Sequence, residues 1–243
     1  AGGHFKKRLV PVYRDDGSLA LDHEEFPRPG TTAEGLAGLK PVFAAMADFE
    51  IDAQGSTYGS LIRQVYPDVK FNHVHHAGNS SGVVDGAAAV LLASADYAQR
   101  RGLKPRARVV ATANIGDCPT LMLNAPVPAA RKVLAKAGLT VDDIDLWEIN
   151  EAFAAQVIAC LRAWQNDDYC RTRLGLPGAL GAIDPAKLNV DGGAVALGHP
   201  VGASGARIVL HLLHALRRTG GKRGIASICI GGGLGGAMLV EAL

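Results

Sequence analysis

Apolar and polar positions alternate with two different periods in the second half of the chain. Residues 108–113 (Arg-Val-Val-Ala-Thr-Ala), 145–149 (Asp-Leu-Trp-Glu-Ile), 224–230 (Gly-Ile-Ala-Ser-Ile-Cys-Ile) and 236–241 are short runs bounded by Gly, Pro or Asp, and they predict strands. Between them, residues 127–137 and 152–164 predict helices. So does the segment after Gly205, where Ile208, Val209, Leu212, Leu213 and Leu216 recur at helical spacing. Strands alternating with helices predict an α/β layered architecture from about residue 106 to residue 243.

The first part of the chain has no such rhythm. Residues 9–13 are extended, Asp15-Asp16-Gly17 is a turn, and a polar run follows through Asp22, Glu24, Glu25, Arg28 and Thr31-Thr32. A short helical turn over residues 34–43 ends near Pro41, and little of residues 1–41 could be core. Residues 87–94 (Ala-Ala-Ala-Val-Leu-Leu-Ala-Ser) then predict a wholly apolar strand, followed by a helix over 95–101. A strand apolar on both faces needs neighbours on both sides, and residues 1–80 do not supply them.

Composition narrows the class. The 243 residues are 48% hydrophobic and 20% charged, enough for a substantial core in one or two domains. The net charge of +2 without a long basic run predicts no nucleic-acid partner. Cys118, Cys160, Cys170 and Cys229 lack Cys-x-x-Cys spacing, which fits reduced thiols and a cytoplasmic location. No apolar run is long enough to span a membrane, and no signal segment opens the sequence.

The chemistry concentrates in residues 189–233. Gly192, Gly193 and Gly198 allow close backbone approaches, Pro200 stiffens the chain, and His199 falls beside a predicted helix N-terminus whose partial positive charge favours a neutral imidazole. Cys229 ends the next apolar strand, before Gly231-Gly232-Gly233, whose unobstructed N–H groups could face an oxyanion. A buried His or Cys is ordinarily core and a Gly-Gly-Gly run ordinarily a turn. Asn150 stands at a strand-to-helix junction, where an amide caps a helix or holds a water. His73, His75 and His76 are close enough in sequence to suggest zinc, but no Cys or carboxylate adjoins them, and no metal site is predicted.

Taken together, Gly-His-Pro before a small-residue helix, Cys-Ile-Gly-Gly-Gly after it, and Asn150-Glu151-Ala152-Phe153-Ala154 upstream resemble the thiolases, enzymes that cleave or form 3-ketoacyl-CoA thioesters. The resemblance covers essentially the whole chain. It implies a thiolase-like fold with a mixed five-stranded sheet flanked by helices, whose first half is incomplete. Residues 1–82 would be the remnant of the loop domain, 83–105 the last strand and helix of an otherwise missing N-terminal half, and 106–243 the C-terminal half. It also implies roles: His199 as base, Cys229 as acid–base partner, Asn150 as holder of a catalytic water, and Gly231 N–H in an oxyanion hole. Ala77, Gly78, Ser81 and Phe153 would contact CoA, and Met122 would line the acyl pocket. The bland reading of the Ser81 segment is a Ser-Gly turn before a strand.

The sequence departs from the family pattern in two places. Met122 lacks the commoner following Gly, and residues 162–185 form a longer segment, expected to be a surface insertion. The nucleophilic cysteine of thiolases lies in the first half, and none of Cys118, Cys160 or Cys170 has its setting. The implied activity is acyl transfer from 3-ketoacyl-CoA to CoA in fatty-acid β-oxidation, with acyl-CoA and CoA as substrates and no permanently bound cofactor. The chain alone would be inactive. The expected assembly is a homodimer or tetramer, with a β-oxidation multienzyme subunit as a further partner. An acetoacetyl-CoA-forming thiolase and a non-catalytic CoA-binding chain are the alternatives.

Overall fold

The computed structural model describes residues 3–243; Ala1 and Gly2 of the predicted loop-domain remnant lie outside them. In order the chain forms β1 (Val12–Tyr13), β2 (Leu19–Leu21), α1 (Ala33–Ala37), α2 (Tyr58–Val65), α3 (Ala95–Arg100), β3 (Ala107–Gly116), α4 (Pro126–Ala137), β4 (Leu146–Ile149), α5 (Ala154–Gln165) and α6 (Asp167–Leu174). It continues through α7 (Ala194–Leu197), α8 (Ser204–Thr219), β5 (Arg223–Ile230) and β6 (Leu234–Ala242). The main sheet runs β3-β6-β5-β4, antiparallel except for the parallel β5/β4 pair.

The sheet therefore has four strands, not the five expected. Beyond β4, Leu188 makes a single parallel bridge to Trp147, and Asn189 N–H donates to the Trp147 carbonyl at 2.9 Å. Asn189 then takes φ 44°, a left-handed conformation that turns the chain out of the sheet plane and stops a fifth strand at one residue.

Helices cover both faces. On one, α4, α5 and α6 bury Val133, Leu134, Cys160 and Trp164 against Trp147, Ile149, Ile225 and Leu239. On the other, α8 packs Ile208, Leu212, Ala215 and Leu216 onto Leu146, Ala226 and Val240. Every residue of β4 is buried, as a parallel strand covered on both sides must be. The 162–185 segment, expected on the surface, does not lie wholly there. Asn166 Oδ1 accepts the Tyr169 N–H at 2.8 Å to start α6, Gly175 ends it at φ 65°, and Cys170, Leu174 and Ile183 join the core. Asn166-Asp167-Asp168 is the helix cap and first turn, where such residues belong.

The region before β3 is built differently. Among its described residues only Gly59 and Ala98 are buried. Thr32 and Thr57 cap α1 and α2. Residues 87–94 form no strand, and Leu91 and Leu92 are 89% and 69% exposed. The predicted strand lacks a partner among the described residues, so its backbone groups have nothing to pair with. This region meets the residues after 106 through side-chain packing, such as Phe43 and His75 on Phe153, and through backbone bonds: Ser81 N–H to the Ala152 carbonyl at 3.0 Å, Ala154 N–H to that of Asn79 at 2.9 Å, and His199 N–H to that of Gly82 at 2.8 Å.

Candidate active site

Asn150 leaves β4 with its N–H bonded to the Ser227 carbonyl at 2.9 Å, so the position of its side chain is set by the sheet. It is 2% exposed, and its Oδ1 has no partner within the protein. Its Nδ2 faces His199 Nε2 at 3.4 Å, a long contact. His199 follows Gly198, which takes φ 81° with a Cβ position already filled by Val84. Its Nδ1 lies 2.6 Å from Ser204 Oγ in the first turn of α8. A ring proton on Nδ1, facing Ser204 Oγ, leaves Nε2 able to accept from the amide. Burial, reinforced by the Arg207 guanidinium, holds the imidazole below its ordinary pKa. The imidazole is therefore neutral near pH 7. Arg207 is itself fixed by a 2.7 Å bond to the Gly198 carbonyl.

Cys229 faces the α5 side of β5, opposite Gly235 in β6 and two residues past the Ser227 that anchors Asn150. Burial pushes its thiol up to about 11, so the thiol keeps its proton at neutral pH and does not have the ordinary cysteine pKa. Gly231 begins the exposed turn after β5, and a Cβ there would meet open space. The structure thus joins Asn150 to His199 directly, and sets Cys229 and Gly231 at the end of the strand that supports them.

The predicted CoA-side residues divide. Ser80 bridges Phe153, and Ser81 Oγ donates to the Ala152 carbonyl at 3.0 Å. Phe153 packs edge-on against Phe43 and His75. Ala77 and Gly78 belong instead to a turn in which Gly78 lies under Leu36 and Leu39, beside α1. Met122 is 41% exposed at φ 49°. The neighbouring Cys118 thiol is held below its ordinary pKa, chiefly by the Leu121 N–H, and lies 3.8 Å from Tyr66 Oη. Of the three histidines, His73 lies against Phe71, His75 packs edge-on against Phe153, and His76 Nδ1 accepts the Gly78 N–H.

Sequence reasoning missed a buried polar cluster behind Asn150. His211 Nε2 lies 3.4 Å from Glu148 and 3.2 Å from Asp191, while Arg8 donates to His211 Nδ1. A guanidinium can only donate, so Nδ1 accepts and His211 is neutral. Burial pushes it down to about 4, and pushes Glu148, near the Asp191 and Glu151 carboxylates, up to about 8. A cavity of about 30 Å³ runs between this cluster and Asn150, lined by Arg8, Glu148, Asn150, Arg207 and His211 among others. The available signal was a charge, Glu148, inside the apolar run Leu-Trp-Glu-Ile.

Residues 103–242 match the family described as the thiolase C-terminal domain. The chain belongs to the thiolase family. Among curated thiolases, the beta-ketoadipyl-CoA thiolase of Pseudomonas aeruginosa and the cytosolic acetyl-CoA acetyltransferase of Mus musculus are each 43% identical over 241 residues, covering 98% of this chain and 50% of the relative. Among solved thiolases, the Bacillus anthracis acetyl-CoA acetyltransferase superposes with TM-score 0.73 at 38% identity, over 99% of this chain and 51% of that one. Human mitochondrial 3-ketoacyl-CoA thiolase in complex with CoA gives TM-score 0.73 at 35% identity, over 99% and 50%. This thiolase chain spans about half the length of the curated relatives it matches. Among its described residues, no helix is long and apolar enough to cross a membrane.

Proposed function

We propose that this chain supplies the histidine, asparagine and second-cysteine part of a thiolase that cleaves 3-ketoacyl-CoA with CoA in fatty-acid β-oxidation, giving acetyl-CoA and a shortened acyl-CoA. The observation that carries this reading is the His199 couple: Nδ1 on Ser204 at 2.6 Å and Nε2 on the buried Asn150 amide at 3.4 Å. The nucleophilic thiol comes from residues outside these 243. His199 Nε2 takes its proton, and the thiolate adds to C3 of the 3-ketoacyl group. The C2–C3 bond breaks, leaving the acyl group on sulfur and the electron pair on C2 of acetyl-CoA.

Cys229 then gives its proton to C2, a role that suits a thiol kept protonated by burial. The resulting Cys229 thiolate takes the proton of the CoA thiol. CoA sulfur attacks the thioester and expels the nucleophile's sulfur, which recovers its proton from His199. A water on the unpartnered Oδ1 or the Nδ2 of Asn150 stabilises the first oxyanion, and Gly231 N–H the second. Ser81 and Phe153 contact the CoA arm, with Ala77 and Gly78 shaping the loop beside them and Met122 at the acyl end. Residues 1–82 are the remnant of the loop domain, residues 83–105 belong with the complementary half, and the assembly is a cytoplasmic homo-oligomer.

The test uses the active thiolase containing these residues. His199→Ala should abolish acyl-enzyme formation. Cys229→Ala should still acylate from a simple acyl-CoA and fail in cleavage and condensation, because only those steps protonate or form the carbanion. Undiminished 3-ketoacyl-CoA cleavage by the Cys229→Ala enzyme would overturn the assignment.

A further inference from the structure

We infer that Glu151 and Asn189 are positioning residues that set the distance between Asn150 and His199. The inference rests on the reading of that couple as catalytic. Asn189 replaces the missing strand beside β4: its Oδ1 accepts the Ile149 N–H at 2.9 Å and its Nδ2 donates to the Ile149 carbonyl at 2.9 Å. The same Nδ2 donates to Glu151 Oε1 at 2.7 Å. Glu151 Oε2 accepts the Val195 N–H at 3.2 Å, in the first turn of α7. Glu151 therefore holds both ends of the 189–195 turn, while the residue before it in sequence is Asn150.

The approach is close enough to dictate a neighbour. A Cβ on Gly193 would fall 2.2 to 2.5 Å from the Glu151 carboxylate atoms, although Gly193 itself is extended at φ −122° and ψ −163°. Glycine is needed there for the carboxylate, not for the backbone conformation. From this clamp the chain passes through the single turn of α7, with Gly198 N–H bonded back to the Ala194 carbonyl at 2.9 Å, and delivers His199. Asn150 and His199 are 49 residues apart in sequence, yet both hang from one hydrogen-bonded unit. A side-chain shift of about 1 Å in such a pair is enough to cost about 100-fold in rate.

The experiment compares Glu151→Gln, Gly193→Ala, their double variant and His199→Ala in the active thiolase. Glu151→Gln keeps the side-chain size but removes one of two acceptors, and Gly193→Ala displaces the intact carboxylate. Each should lower kcat about 100-fold and change the KM for CoA less than about twofold, with full acyl-enzyme amplitude at long times. The double variant should be no worse than either single one, since both break the same clamp. A purely structural role would reduce the folded fraction and leave kcat per folded enzyme unchanged. Should Glu151→Gln not fold, Gly193→Ala alone decides. Wild-type kcat in the two clamp variants, with His199→Ala inactive, would overturn the positioning role and leave the proposed function standing. Acylation by His199→Ala would overturn the proposed function instead.

Discussion

Residues from Ala107 onward and those before it are organised by different forces. The later region closes around its own interior, with Trp147, Trp164, Leu212, Ile225 and Leu239 each fully buried between sheet and helices. The earlier region holds almost nothing away from water, and is shaped by capped turns and by backbone bonds to the later one. Yet the two meet at the site, where Gly82 fixes the His199 N–H and Ser81 fixes Ala152. One region supplies rigidity to the candidate catalytic groups, and the other covers them from a scaffold it does not share.

The contrast is tested most strongly by truncating a buried ring. Trp147→Ala removes a side chain 1% exposed that packs on Trp164 at 5.6 Å, and should cost about 3–5 kcal/mol in urea unfolding. In the 243-residue chain by itself, Leu91→Ala, at 89% exposure, should stay within about 0.5 kcal/mol. Equal losses would erase the distinction.

Buried Glu148 gives a second handle, through pH. The unfolded chain ionises this carboxyl around 4.5, whereas the folded chain keeps its proton to about 8. Its contribution to stability is complete below 4.5 and is lost as pH rises to about 8. His211 has the opposite sign: from an ordinary 6.5 it falls to about 4, so its contribution is complete above 6.5 and is lost as pH falls through 4. Between pH 6.5 and 8 only Glu148 of this pair titrates. The urea midpoint should fall over that window, and Glu148→Gln should flatten the fall; an unchanged slope would remove the buried carboxyl from the account.

The smallest effect belongs to the seam. Ser81→Ala removes the 3.0 Å bond to the Ala152 carbonyl, costing about 1 kcal/mol. In the active thiolase it should raise the KM for CoA more than it lowers kcat. A KM left at the wild-type value would detach Ser81 from CoA.

The strands and helices after residue 106 were legible because each carries a clean period and a Gly, Pro or Asx boundary. The fifth strand was not, since the left-handed turn at Asn189 and the side-chain bonds that replace the ladder leave no periodic trace. The core role of residues 162–185 left no linear signal, because its buried members Cys170, Leu174 and Ile183 are spread among exposed polar residues. Residues 87–94 read as a strand from composition alone, but a strand also needs a partner. At the site, His199, Asn150 and Cys229 stood out through their glycine-rich and apolar settings. The Arg8–His211–Glu148–Asp191 cluster did not, because its members come from four separate segments and meet only in the folded chain.

The most direct measurement of the central claim is the location of the acyl group. The active thiolase is exposed to acetyl-CoA, digested, and the acetyl adduct mapped by mass spectrometry, with His199→Ala in parallel. The account predicts an adduct on a cysteine outside these 243 residues that disappears in His199→Ala. An adduct on Cys118, whose thiol is held below its ordinary pKa, or an adduct undiminished by His199→Ala, would contradict it.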